Sequence, residues 1–96
     1  MSRYGPLVDH RLREAKRCLK SGRDWLLLAE DLVEDQRILD RFWRDRFVLR
    51  LGRARAELTP VCEPDGPLWD ALHARDRDEV KAVSDRLTEL EELLLP

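Results

Sequence analysis

Apolar residues recur along this chain at three- and four-residue spacing, the period of an α-helix with one buried face. Leu7 or Val8, Leu12, Ala15 and Leu19 keep that spacing behind Pro6, a residue suited to a first helical position. Near the other end Trp69, Leu72, Val80, Val83, Leu87, Leu90 and Leu94 nearly hold a heptad rhythm, interrupted at Asp76. Residues 24–59 between them are apolar over a wider angle. Projected as one helix, their apolar positions cover an arc of roughly 240°. Ile38, Leu49 and Phe42 fall on one flank. Leu28, Leu39, Leu32, Trp25 and Trp43 fill the centre, and Phe47, Leu58, Val33, Leu51 and Leu26 form the other flank. A surface helix needs only about 100° of apolar face. A helix of this kind must be covered from more than one side.

Turn residues punctuate the pattern. Ser21-Gly22 is one break; Thr59-Pro60 followed by Glu63-Pro64-Asp65-Gly66-Pro67 is a stronger one. Asp24 suits an N-cap. The spacing and the breaks predict helices over about 6–20, 24–59 and 67–95, with Ala74–Asp78 as a site where the last could split in two. A single interruption of the middle helix, near Gln36 or Gly52, is the alternative to a continuous one. The expected fold is all-α: three or four antiparallel helices around a long central helix, a small helical bundle forming one domain over 1–96.

Charge sharpens that picture. The chain is 43% apolar and 40% charged, against about 25% charged for an ordinary domain. That mix suits long exposed helices. A net charge of −2 conceals four blocks: residues 1–23 carry +5, 24–40 carry −5, 41–59 carry +4 and 60–96 carry −6. Folding at Ser21-Gly22 and at 60–66 would set basic against acidic helices. Single exposed pairs contribute about 0–1 kcal/mol, so their value lies in selecting a register.

Candidate chemistry is sparse. His10, Cys18, Cys62 and His73 are the residues for a Cys₂His₂ metal set, but His10 and Cys18 stand about 12 Å apart along one helix, too far to share a zinc ion. A di-metal carboxylate site needs Glu-x-x-His, and Leu7 and Asp70 occupy the positions three before the histidines. No serine lies in a Gly-x-Ser-x-Gly elbow, and the four glycines are scattered rather than gathered in a phosphate loop. The expectation is a protein that is not an enzyme and uses no cofactor and no metal. The longest apolar run, Trp25 to Ala29, is far below the ~20 residues that span a bilayer, so no membrane association is expected. Residues 1–23 carry no apolar signal-peptide core. The cysteines are accordingly expected as free thiols in the cytoplasm.

Two uses remain. The wide apolar arc, with residue types common at binding hot spots, predicts a non-catalytic helical interaction or assembly module: an adaptor, chaperone-like or regulatory small subunit. Its partner would be another protein or itself, as a homodimer. The contact surface is expected at Phe42, Trp43, Arg46, Phe47, Arg50 and Gly52, with Gly52 admitting a close backbone. The second use is a small nucleic-acid-associated subunit in which Arg41, Arg44, Arg53 and Arg55 neutralise phosphates. The acidic whole and the lack of any DNA-binding motif place it second.

Overall fold

The computed structural model describes residues 6–63 and 66–94. The chain is an all-α bundle of four helices: α1 (Pro6–Glu34), α2 (Arg41–Cys62), α3 (Pro67–Ala71) and α4 (Ala74–Glu92). It forms a rod of 53 × 19 × 17 Å. Long α1 is the helix on which the others pack. α2 runs antiparallel beside it, so that Gly22 meets Leu58 and Leu28 meets Arg50. α4 runs parallel to α1, with Arg23 on Glu79 and Glu30 on Arg86.

The expected break at Ser21-Gly22 does not occur; α1 passes straight through it. Gly22 is buried, and a Cβ there would lie 2.6 Å from Leu58 Cγ. The glycine marks a close helix crossing, not a turn. Asp24 is therefore interior to α1 rather than an N-cap, and it pairs with Lys20 at 3.2 Å.

The expected 24–59 helix is interrupted near Gln36. There the chain turns back, so what was projected as one arc is two helices facing each other. α1 ends with Gln36 in the left-handed region (φ 58°), its N–H bonding Val33 O. Such a residue commonly closes a helix. A 3₁₀ turn over Arg37–Leu39 follows. Asp40 then caps α2: its Oδ1 accepts from the Phe42 N–H at 2.8 Å. Arg44 Nε donates to Ile38 O and secures the turn.

α2 extends past Thr59 to Cys62 and tolerates Pro60 in its last turn, where Thr59 Oγ1 donates to Arg55 O. Gly66 precedes α3, with Pro67 at its first position. The last helical stretch is indeed split, but at Leu72–His73, just ahead of Ala74. α4 ends at Glu92 and a turn follows through Leu94. The expected helix end at Leu95 lies outside the described residues, as do the breakers Pro64 and Asp65 and the side chains of Leu7 and Val8.

The core follows heptad spacing in every long helix. α2 buries Phe47, Leu51, Ala54, Leu58 and Val61; α4 buries Val80, Val83, Leu87 and Leu90. α1 contributes Ala15, Leu19, Leu26 and Ala29 with Gly22 in phase, flanked by Cys18 and Leu32. Steps of three and four residues place such side chains on one stripe and set neighbouring helices about 20° from parallel. Gly22 lets α2 approach α1 closely at Leu58. No polar side chain is buried among the described residues, so polar groups do not fix the register from within.

Ion pairs link the helices from outside. Basic residues 6–23 and acidic residues 24–34 share one helix, which overturns the expected pairing of those two blocks across a turn. Inter-helix ion pairs among the described residues include Arg17–Glu57 at 3.7 Å, Arg23–Glu79 at 2.6 Å, Glu30–Arg86 and Arg55–Glu91. Arg55–Glu91 joins the third block to the fourth, as the block pattern predicts.

Candidate protein-binding surface

Among the described residues, the exposed large apolar side chains gather towards the end of the rod that carries the α1–α2 turn. Among the described residues, the large apolar groups left in solvent are Leu27, Leu28, Leu39, Phe42, Val48 and Leu49, together with Leu93 and Leu94 at the end of α4. The first six occupy a window around the α1–α2 turn. Leu39 is 77% exposed and Phe42 57%, values that a residue packed by its own chain does not show. Single exposed leucines are ordinary; a cluster at one end marks an interaction site.

The turn itself places the aromatic members. Because Asp40 starts α2, Phe42 and Trp43 emerge on its first turn. Their rings meet edge to face, centroids 5.2 Å apart at 85°, a geometry that ring quadrupoles favour. The Arg37 guanidinium lies 4.8 Å from the Trp43 ring centre and that of Arg46 lies 5.2 Å from Phe42. Cation–π contact of this kind holds the arginines flat against the rings. Trp43 is half-buried and packs on the core, while Phe42 faces outward.

Of the sequence-predicted contact residues, the fold brings together Phe42, Trp43 and Arg46. Phe47 is not with them. It lies about 140° round α2 from Phe42, has no exposed surface and belongs to the core, so it is unavailable to a partner. Turning the chain back at Gln36 sends one flank of the arc inward and leaves the other in solvent. Arg50 bridges the hairpin, donating from Nη1 to Leu28 O at 2.6 Å. Gly52 is exposed, and a Cβ built on it meets nothing within 4 Å. Leu27 and Val48 were not singled out from the sequence. The wide arc pointed to Leu28, Leu39, Phe42 and Leu49, while Leu27 and Val48 lie outside it.

The arginines proposed for phosphate binding divide. Arg41 and Arg53 are exposed, with no ion pair among the described residues. Arg44 is tied to the turn through Ile38 O. Arg55 is spent between α2 and α4, where it donates to Ser84 Oγ, Thr88 Oγ1 and Glu91 Oε1. It cannot face a phosphate without breaking that contact.

Elsewhere the chemistry is modest. Burial pushes the thiols of Cys18 and Cys62 up from their usual range, away from the nucleophilic thiolate. No group of three His, Cys, Asp or Glu side chains among the described residues could hold a metal ion. A shallow, open depression of about 200 Å³ lies between Arg11, Pro67, Asp70 and Ala71, below the ~300–1,000 Å³ of small-molecule sites. No described helix is long and apolar enough to cross a membrane. The chain matches no family model, no curated protein and no solved structure.

Proposed function

We propose that this protein is a non-catalytic helical interaction module that self-associates as a homodimer through the hairpin end, and that it works in the cytoplasm with both thiols reduced. One observation carries the reading: the exposed apolar side chains gather around the α1–α2 turn and the end of α4. The surface also has the make-up of an interface centre, with aromatic anchors and stacked arginines. Its charges suit self-association. Acidic Asp31, Glu34 and Asp35 precede the turn and basic Arg41, Arg44 and Arg46 follow it, so a two-fold operation sets one group against the other.

The experiment is solution mass by light scattering, at low and high salt, for the wild type and for Leu39→Asp with Phe42→Asp. The wild type is expected as a dimer that persists in high salt. The double variant is expected as a monomer with unchanged helix content, because both side chains lie outside the core. A wild type that stays monomeric up to millimolar concentration defeats the proposal.

The nucleic-acid reading retains Arg41 and Arg53 as its support. It requires duplex binding that weakens steeply with salt and is lost in Arg41→Ala with Arg53→Ala. Binding indifferent to salt removes it.

A further inference from the structure

We infer that the 35–40 turn is a hinge, and that the hairpin end takes up a second copy of this chain by exchanging α2–α4 with it. The inference rests on the self-association proposed above and specifies how it happens.

The buried positions keep one phase through the turn. Leu19, Leu26 and Val33 on α1 are spaced by seven, and Phe47, Ala54 and Val61 on α2 continue the same count. A hairpin does not require this, because its two helices meet face to face whatever their phase. A straightened chain does require it: the faces of α1 and α2 must then lie on one side of a single helix. The position missing from the series is Asp40. Segment 35–40 contains neither glycine nor proline, and Gln36, Arg37 and Leu39 are good helix formers. The turn is held bent by Gln36 at φ 58°, a backbone conformation that a non-glycine residue rarely adopts, and by the Asp40 cap on Phe42 N–H. A short connection under strain between packed helices is the arrangement that favours exchange.

Exchange also brings the exposed windows of two copies to the same level. The antiparallel register that sets Gly22 against Leu58 is centred on residue 40. With that register kept between chains, α1 of one copy meets α2 of the other. Each α1–α2 contact of the hairpin is re-formed, and α4 returns to an α1. The window Leu27–Leu49 is centred on the same turn, so its two copies lie antiparallel about the two-fold axis. Acidic residues before the turn again face basic residues after it. Asp40 opposes the change, together with the Arg44 bond to Ile38 O that secures the bent turn. Asp40 loses its capping role and meets its own counterpart at the axis, two like charges side by side. It thus weighs in the balance between hairpin and exchanged pair.

A cross-link reads the exchange directly. In a Cys18→Ser, Cys62→Ser background, Gly22→Cys is combined with Leu58→Cys; the second change removes both leucine Cδ atoms that a Cβ at 22 would meet and sets a sulfur in place of Cγ. The dimer fraction is oxidised with oxidised glutathione and run on a denaturing gel without reductant. Exchange gives covalent dimer. Intrachain cystine within a dimer overturns the exchange and leaves self-association standing. A chain monomeric at every concentration overturns both. Two further variants decide the matter if the double cysteine chain does not fold. Asp40→Leu completes the heptad series and is expected to tighten the dimer at least about tenfold. Gln36→Gly relaxes the bent turn and is expected to weaken it by a similar factor. Dimer affinity unmoved by Gln36→Gly overturns the exchange.

Discussion

Gly22 and Leu58 fit as notch and key: a single methyl group added to the glycine would overlap the branch point of the leucine. Both are buried, and they sit where α1 and α2 cross. Alanine is about 1 kcal/mol better than glycine inside a helix, yet overpacking a filled core costs typically 1–3 kcal/mol. Gly22→Ala is therefore expected to destabilise the protein by about 1 kcal/mol in urea titrations. In a Leu58→Ala background the obstruction is gone, and the same change should become neutral or stabilising. A Gly22→Ala effect of equal size in both backgrounds would mean that the contact does not limit the approach.

Gly52 is the opposite case. It sits on the exposed side of α2 with open space where a side chain would project. Gly52→Ala is expected to stabilise the chain by up to about 1 kcal/mol through helix propensity alone. Gly52→Leu, read by light scattering, asks whether a partner approaches at this point. Unchanged mass and affinity mean that none does, and an interface built around Gly52 is then abandoned.

Arg55 joins α2 to α4 through Ser84, Thr88 and Glu91. The Arg55 and Glu91 side chains are both about two-fifths exposed, so solvent screens their attraction. Arg55→Ala is expected to cost about 0.5–1 kcal/mol. A double-mutant cycle with Glu91→Ala should show coupling that shrinks in 1 M salt. Coupling independent of salt would point to packing of the arginine stem rather than to charge.

Burial raises the Cys18 thiol above its ordinary range, and this has a defined sign. The folded chain holds the proton to higher pH than the unfolded chain does. The stability this contributes is complete below the unfolded value of about 8.5 and is lost as pH rises through the folded value. Urea midpoints for the wild type should fall between pH 8 and 10. Cys18→Ala should start lower, because it leaves a cavity, but fall less steeply over that range. Parallel curves would show that Cys18 does not ionise on unfolding. Cys62, raised in the same direction, supplies the slope that remains.

Helical class, the break between Cys62 and Pro67 and the core positions of α4 were legible because each is a local pattern: period, proline, glycine. The α1–α2 turn was legible only as an alternative, an interruption near Gln36 set beside one near Gly52. Segment 35–40 contains no helix breaker, and what bends it is a cap and one left-handed residue, neither visible as composition. Gly22 was misread for the converse reason. A glycine beside a serine looks the same whether it turns the chain or admits a neighbour, and only Leu58, distant in sequence, distinguishes the two. Phe42 and Phe47 lay in the same apolar arc. Which of them would be core depended on where α1 returned, so five residues of separation divided a surface ring from a buried one. The missed Leu27 and Val48 follow from the same cause.

Arg77 reaches back from α4 to the short helix before it. Its Nε donates to Trp69 O, its Nη2 to Asp70 O, and its guanidinium lies over the Trp69 ring. A five-residue helix has no stability of its own, since nucleation alone outweighs so few hydrogen bonds. The carbonyls that end α3 are held by a side chain that takes its place only once α4 has formed. Arg77 thereby makes α3 depend on α4: the short helix is fastened from behind, as by a latch, and loosening the first turn of α4 would release it.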